Sequence, residues 1–162
     1  MDVAISPHIR RLREKVGHDL LVLPSVCVLP IDPNGRLLLV EAIDTGQWQT
    51  IGGAIEPDES PREAGLREAL EEAGVVVELG RLVDAVGGPG FDITYPNGDV
   101  VSYVSCVFEA TVISGEPNPD GDETSAVAWW AFDDLERAPV SAFTRVLFGT
   151  LPLRELLVPQ VT

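Results

Sequence analysis

Cysteine and histidine are scarce: the 162-residue chain has two of each. Cys27 and Cys106 lie in separate apolar runs without C-x-x-C spacing and read as small buried hydrophobes. His8 and His18 are isolated, so no thiolate or imidazole metal centre is expected, and no Ser–His–acid or Cys–His grouping supports a nucleophilic hydrolase. Long apolar runs are missing too, since no stretch approaches the ~18 residues that cross a bilayer. The N-terminus lacks a signal-peptide pattern: His8 to Arg13 is basic and amphipathic, with no apolar run behind it. The expected compartment is the cytoplasm. Repeats and low-complexity tails are absent.

Positive charge is scarce as well. Eleven Lys and Arg face 26 Asp and Glu, for a net charge of −15. Between Arg81 and Arg137 there is no lysine or arginine, but there are eleven acids. Such a field disfavours nucleic-acid polymers and anionic membranes as partners. A phosphorylated small molecule would meet the same repulsion unless metal ions bridged it.

The length fits one domain, 1–162, and an apolar content of 45% with 23% charged residues is that of a globular protein. Ser6-Pro7 opens a short helical extension (1–18) that ends at Gly17, with Ile9, Leu12 and Val16 in one stripe. That stripe packs on the domain or on a second copy in a homodimer. Leu20 to Ile31 reads as a buried strand, Asp32 to Gly35 as a turn, and Arg36 to Ala42 as the returning hairpin partner. Gln47 to Ile51 is a short strand leading into Gly52-Gly53. Later come a strand over Val75 to Val86, a Gly87 to Gly90 loop, and a turn at Tyr95 to Asp99. A long strand over Val100 to Val112 follows, then a loop from Ser114 to Glu123, a strand over Val127 to Phe132, and a helix capped by Ser141. Hairpins around one central helix and a terminal helix give an α+β or mixed α/β layered domain.

The central helix carries the chemistry. Ser60 is a good N-cap, Pro61 suits the first helical position, Glu63 completes a capping box, and Gly74 can end the helix left-handed. Glu68, Glu71 and Glu72 fall at i, i+3 and i+4, so three carboxylates share one face near the unfavourable end of the helix dipole. Each like-charge pair costs ~0.2–0.5 kcal/mol. A solvated acidic face is the plain reading of such a cluster; a hard divalent cation, Mg²⁺ or Mn²⁺, is what would neutralise it. Arg67 is spaced to pair with Glu63 or Glu71 and to orient the cluster without occupying its metal face.

Taken whole, Gly53 to Val75 resembles the Nudix box, G-x5-E-x7-R-E-U-x-E-E-x-G-U, with U a bulky aliphatic. Gly53, Glu59, Arg67, Glu68, Glu71, Glu72 and Gly74 fill all seven fixed positions. Chance gives this on the order of 10⁻⁸ per window. Ala69 is smaller than the usual aliphatic, and Ile51 stands where relatives commonly have proline, while Trp48 and both glycines are kept. The resemblance implies the Nudix α/β/α sandwich with a curved mixed β-sheet. It also implies a divalent-metal-dependent hydrolase of a nucleoside diphosphate linked to another moiety: a modified nucleotide, or a sugar nucleotide such as ADP-ribose.

On the same resemblance, Glu68 and Glu72 are the expected metal ligands, with Glu71 a further ligand or the base and Gly52 a main-chain carbonyl ligand. Arg67 and Glu59 orient them. Trp48, Gly53 and Glu123 are the expected substrate-side residues, Glu123 because relatives often place an extra acid on that loop. Phe91, Tyr95 and Tyr103 are further aromatics for a base to stack on, although strand aromatics are more often core. Trp129 and Trp130 should point to opposite faces of their strand. Glu41-Ala42 stands where relatives often carry a phosphate-binding arginine, which weakens the case for a triphosphate gripped by cations. Two other readings share the fold: a nucleotide-binding module without catalysis, which would tend to lose box acids, and an isopentenyl-diphosphate isomerase relative, which would need an exposed cysteine.

Overall fold

Alternating apolar residues bury both faces of the two strands at the centre of the molecule. The computed structural model describes residues 5–159. Strand β1 (Leu21–Pro30) directs Val26 and Val28 to one side and Cys27 and Leu29 to the other. Strand β2 (Leu37–Ala42) does the same, with Leu38 and Val40 on the first side and Leu37 and Leu39 on the second. Two apolar layers result, one covered by helix α2 (Pro61–Ala73), the other by α4 (Ala142–Thr150) and α5 (Leu153–Leu156). This is the expected layered α/β/α arrangement.

The strands divide between two sheets. One has the order β4 (Ile51–Ala54), β1, β7 (Val100–Ser114), β5 (Val76–Val86), with β6 (Asp92–Thr94) also on β7. Within it β1 and β7 run parallel and the other pairs antiparallel. The second sheet is antiparallel, β3 (Trp48–Gln49), β2, β8 (Thr124–Trp130). A short helix α3 (Phe132–Leu135) follows β8.

Two expectations are corrected. The segments around Asp32 to Gly35 do turn back, but β1 and β2 are not a hairpin pair; only Ile31 and Leu37 form a bridge. Both edges of β1 are already filled, by β4 and β7, so β2 continues into the other sheet. The stretch Gln47 to Ile51 is likewise not one strand: β3 and β4 belong to different sheets, and the chain crosses between them at Thr50. Helix α5 has no counterpart in the sequence reading.

Helix α1 (Pro7–Val16) forms where expected, with Ser6 Oγ accepting from Ile9 N–H and Gly17 as its C-cap. None of its residues is fully buried. It is tied down by one polar side chain: Arg13 donates to the carbonyls of Gly17, Asp19 and Val100 and lies beside the buried Asp99 carboxylate. No helix among the described residues is long and apolar enough to cross a membrane.

Candidate active site

The box helix starts and stops as its sequence dictates. Ser60 Oγ accepts from Glu63 N–H while the Glu63 carboxylate accepts from Ser60 N–H, and Gly74 closes the helix at φ 67°. Small residues let α2 lie close to the sheet: Ala64, Ala69 and Ala73 are fully buried, and a Cβ on Gly65 would come within 3.2 Å of Val28. This fit fixes the height of every carboxylate on the helix relative to β1 and β4.

Arg67 is the hub. Its Nε donates to Glu59 Oε2 at 3.0 Å and its Nη2 to Glu59 Oε1 and to the Ala54 carbonyl at 3.1 Å. Its Nη1 donates to Glu68 Oε1 at 2.7 Å and to Glu71 Oε2 at 3.0 Å. A guanidinium has five N–H donors, and all are engaged by these five acceptors. Arg67 therefore orients the box acids and has none left for a phosphate. Of the two expected partners, Glu63 or Glu71, Arg67 takes Glu71, because Glu63 serves the cap. Nor does Arg67 leave the metal face clear, since it bonds Glu68 directly; Glu68 is the very next residue, and the side chain folds back over it.

Glu72 is tied from the other side, accepting from Gly52 N–H at 3.0 Å. Glu68 and Glu72 are 8% and 4% exposed, whereas the Glu71 side chain is 56% exposed. Burial raises the pKa of both buried acids, and mutual repulsion adds to this at Glu72, which is pushed well above the usual carboxylate value. For Glu59 the opposite holds, because hydrogen bonds from Arg67 lower it. Glu123 is held beside the cluster, its pKa raised by burial and by the charges of Asp120 and Glu71.

The glycines are required by close approach. A Cβ on Gly52 would meet the Val26 carbonyl oxygen, and one on Gly53 would meet Glu68 Oε1. Gly52 thus contributes an N–H contact to Glu72, and Gly53 leaves the Glu68 carboxylate uncovered by a side chain.

The loop from Ser114 to Glu123, singled out in the sequence for Glu123 alone, meets the helix acids through Asp120 and Thr124 as well. Asp120 Oδ1 accepts from the N–H groups of Asp122, Glu123 and Thr124. Thr124 Oγ1, fully buried, donates to the Glu72 carbonyl at 2.8 Å, and Asn118 N–H donates to the Ala73 carbonyl. The carbonyl of Glu123 in turn accepts from Ile43 N–H. The loop docks on the end of α2 and sets Glu123 against the helix acids. An aspartate four residues before a threonine, in a Gly- and Pro-rich run, was the available signal.

Trp48 is not among the groups gathered here. Its ring packs edge-on against Trp130 at 5.2 Å, half-buried in the layer beneath the C-terminal helices. Trp129 packs in the other layer, as expected for neighbours on a strand. Tyr95 and Tyr103 share a 2.8 Å hydroxyl contact, and Phe91 and Tyr103 pack on Phe143. Cys27 is buried, its thiol pushed up to about 11 by desolvation, and Cys106 is half-buried. Such a Cys27 is a poor nucleophile, which removes it from an isomerase role.

The donor set around Glu68, Glu71, Glu72 and Glu123 is all oxygen, the type that suits Mg²⁺ or Mn²⁺. Among the described residues no three acidic, histidine or cysteine side chains converge on one metal position; Arg67 pairs with both Glu68 and Glu71. Two buried carboxylates with raised pKa values are short of positive charge, and that is the sense in which the residues fit a divalent cation.

A family model, the NUDIX domain, matches residues 21–148. The chain belongs to the NUDIX family. It is 29% identical over 127 residues to a MutT-like protein of Streptomyces ambofaciens, covering 78% of this chain and 75% of that one. It is 30% identical over 142 residues to an ADP-ribose pyrophosphatase of Methanocaldococcus jannaschii, covering 85% and 78%. The crystal structure of a MutT NUDIX hydrolase from Burkholderia pseudomallei superposes with a TM-score of 0.65 at 29% identity, covering 80% of this chain and 97% of the other. The NUDIX match leaves α1 outside it.

Proposed function

We propose that this Nudix hydrolase cleaves the pyrophosphate bond of a nucleoside diphosphate linked to another moiety, with Mg²⁺ or Mn²⁺ held by Glu68, Glu72, Glu71 and the Gly52 main chain. The observation that carries this is the pair of buried, mutually repelling carboxylates, Glu68 and Glu72, on a helix pinned to a glycine turn. Bound there, a divalent cation neutralises phosphate oxygens and lowers the pKa of a nucleophilic water.

The chain's own residues do the rest. Water adds to one phosphorus, the bridging P–O bond breaks, and two phosphorylated products leave. Glu71, the most exposed of the three clustered carboxylates Glu68, Glu71 and Glu72, takes the proton from the attacking water. Arg67 and Glu59 fix the direction of Glu68 and Glu71, so the carboxylates need not reorganise during the reaction. Gly53 leaves the Glu68 carboxylate uncovered by a side chain, and Glu123 flanks the helix acids.

The ADP-ribose pyrophosphatase named above supplies one candidate substrate, ADP-ribose; a modified nucleotide is the other. The compartment proposed is the cytoplasm. A homodimer belongs to the same proposal, because Val22 and Val104, on paired strands of one face, stay 66% and 47% exposed; light scattering tests it. The test of function is phosphate release from a panel of canonical and oxidised dNTPs, ADP-ribose, other sugar nucleotides and dinucleoside polyphosphates, with each metal. Turnover that needs the metal and is lost in Glu72→Gln is expected. Silence across the panel with metal bound would overturn the hydrolase reading.

A further inference from the structure

The chain crosses from one sheet to the other at Thr50, where the main-chain N–H has no strand partner. Thr50 is buried, and its N–H donates instead to Thr144 Oγ1 on α4, at 3.4 Å. Thr144 is fully buried, and its hydroxyl oxygen also accepts from Ser141 Oγ at 3.0 Å. Ser141 Oγ caps the helix by accepting from Thr144 N–H. The segment before α4 is clasped to the same stretch: Trp48 N–H donates to the Pro139 carbonyl and Ser141 N–H to the Trp48 carbonyl, both at 2.9 Å. The Thr50 side chain in turn meets the Cys27 thiol, and Cys27 stands opposite Gly52 in the β1–β4 ladder. Two residues after Thr50, Gly52 N–H donates to the Glu72 carboxylate at 3.0 Å.

We propose that Thr144 is a positioning residue for the carboxylate site, acting through Thr50 on the Gly52 turn. The proposal rests on the metal-dependent hydrolase reading above and adds to it a residue from the opposite layer of the fold. Helix α4 covers the layer away from α2, so its route to the box acids runs through the main chain between the sheets. The Thr50 hydrogen bond fixes the peptide plane from which Ile51 and Gly52 follow, and Ile51 is fully buried, with little room to absorb a shift. Gly52 and Gly53 are the most permissive backbone in the site. What holds them is the anchor on either side: Thr144 at Thr50, and Arg67 at the Ala54 carbonyl. Together these decide where Gly52 N–H points, and with it the Glu72 carboxylate. Packing alone does not call for a hydroxyl at residue 144, since valine has nearly the same shape and the rest of this layer is filled by residues such as Leu147, Leu151 and Leu153. What threonine adds is the acceptor.

The test uses the full chain and three variants: Thr144→Val removes the hydroxyl, Thr144→Ser keeps it, and Leu147→Val loosens the same helix one turn further along. In Thr144→Val, Mn²⁺ binding by calorimetry should weaken about tenfold and kcat should fall about tenfold, with KM within about twofold. The Gly52 amide of the metal-free protein, followed by NMR in chelator, should exchange its proton about tenfold faster. Thr144→Ser should return all of these to within about threefold of wild type. Leu147→Val should lower the melting temperature and leave Mn²⁺ affinity and the Gly52 amide as they were. A Thr144→Val protein that has lost stability but keeps wild-type Mn²⁺ affinity and amide exchange would overturn the positioning role. So would equal losses of Mn²⁺ affinity in Thr144→Val and Leu147→Val. Should Thr144→Val not fold, Thr144→Ala removes the same hydroxyl without a second methyl group and is read in the same way. A wild-type chain that binds no Mn²⁺ and hydrolyses nothing would overturn the hydrolase reading itself, while Gly52 amide exchange in chelator would still decide whether Thr144 holds the turn.

Discussion

Thr124 Oγ1 donates a hydrogen bond to the main-chain carbonyl of Glu72, joining the start of β8 to the last turn of the box helix. One buried hydroxyl thus satisfies a helix-end carbonyl and holds the loop that carries Glu123.

Thr124→Val should cost about 1–3 kcal/mol of stability, because it leaves the Glu72 carbonyl without that partner in a buried place. It should also lower kcat to about the level of Glu123→Gln, and the double substitution should lower it little further. Thr124→Ser keeps the hydroxyl and should recover most of the loss. Denaturant unfolding and steady-state kinetics on the four variants check this; additive losses would show that the loop does not act through Glu123.

In the metal-free protein, stability should fall as pH rises. Burial raises Glu68 and Glu72 above the value of an unfolded glutamate, about 4.3. Between that value and their folded values the folded protein binds more protons than the unfolded one, so unfolding free energy decreases with pH. Below about 4.3 both states are protonated at these groups and their slope vanishes. Thermal melts in chelator across pH 4–8 should show the decline, and Mg²⁺ should restore stability most at the high end. A rise in chelator over that range would contradict it.

Glu72→Gln should make the metal-free protein more stable by about 0.5–2 kcal/mol while lowering kcat at least about 100-fold. The amide oxygen still accepts from Gly52 N–H, but the buried charge facing Glu68 and Glu123 is gone. Paired melting and turnover measurements decide it; a loss of both stability and activity would assign Glu72 a structural role instead.

The two box glycines should fail differently. A Cβ on Gly52 meets the main chain of β1, which cannot step aside, so Gly52→Ala should destabilise the fold by about 1–3 kcal/mol. A Cβ on Gly53 meets only the end of the Glu68 side chain. Gly53→Ala should leave the melting temperature close to wild type and weaken Mn²⁺ binding by calorimetry, about 10–100-fold.

Arg67→Lys should lower kcat/KM by about 10–100-fold with normal secondary structure by circular dichroism, because an ammonium cannot span Glu59, Glu68, Glu71 and the Ala54 carbonyl at once. Near-wild-type kinetics would remove Arg67 from the orienting role.

Local rules carried much of the structure. The Ser60 cap, the Glu63 box and the Gly74 stop define α2 within a few residues of chain, and Ser6 and Gly17 do the same for α1. The spacing of Glu68, Glu71 and Glu72 follows from 3.6 residues per turn, so the acidic face and the box were readable before any fold was known. The unbroken apolar runs from Val26 to Leu29 and from Leu37 to Val40 likewise marked buried strands.

Other features depend on residues far apart in sequence. Whether β2 pairs with β1 is decided by β4 and β7 already occupying both edges of β1, which no short window records. Arg67 had nearby acids to choose from, and it reached back to Glu59 and the Ala54 carbonyl because β4 lies under the helix. The loop around Asp120 became part of the site only through Thr124 meeting the end of α2, 52 residues away. The sequence by itself determined which helices form, where they end and which acids they display, because those depend on backbone dihedrals and neighbouring side chains. Tertiary structure alone decided which strands share a sheet, where α1 lies and which carboxylates are buried together, because those depend on competition for edges and for space within one folded chain.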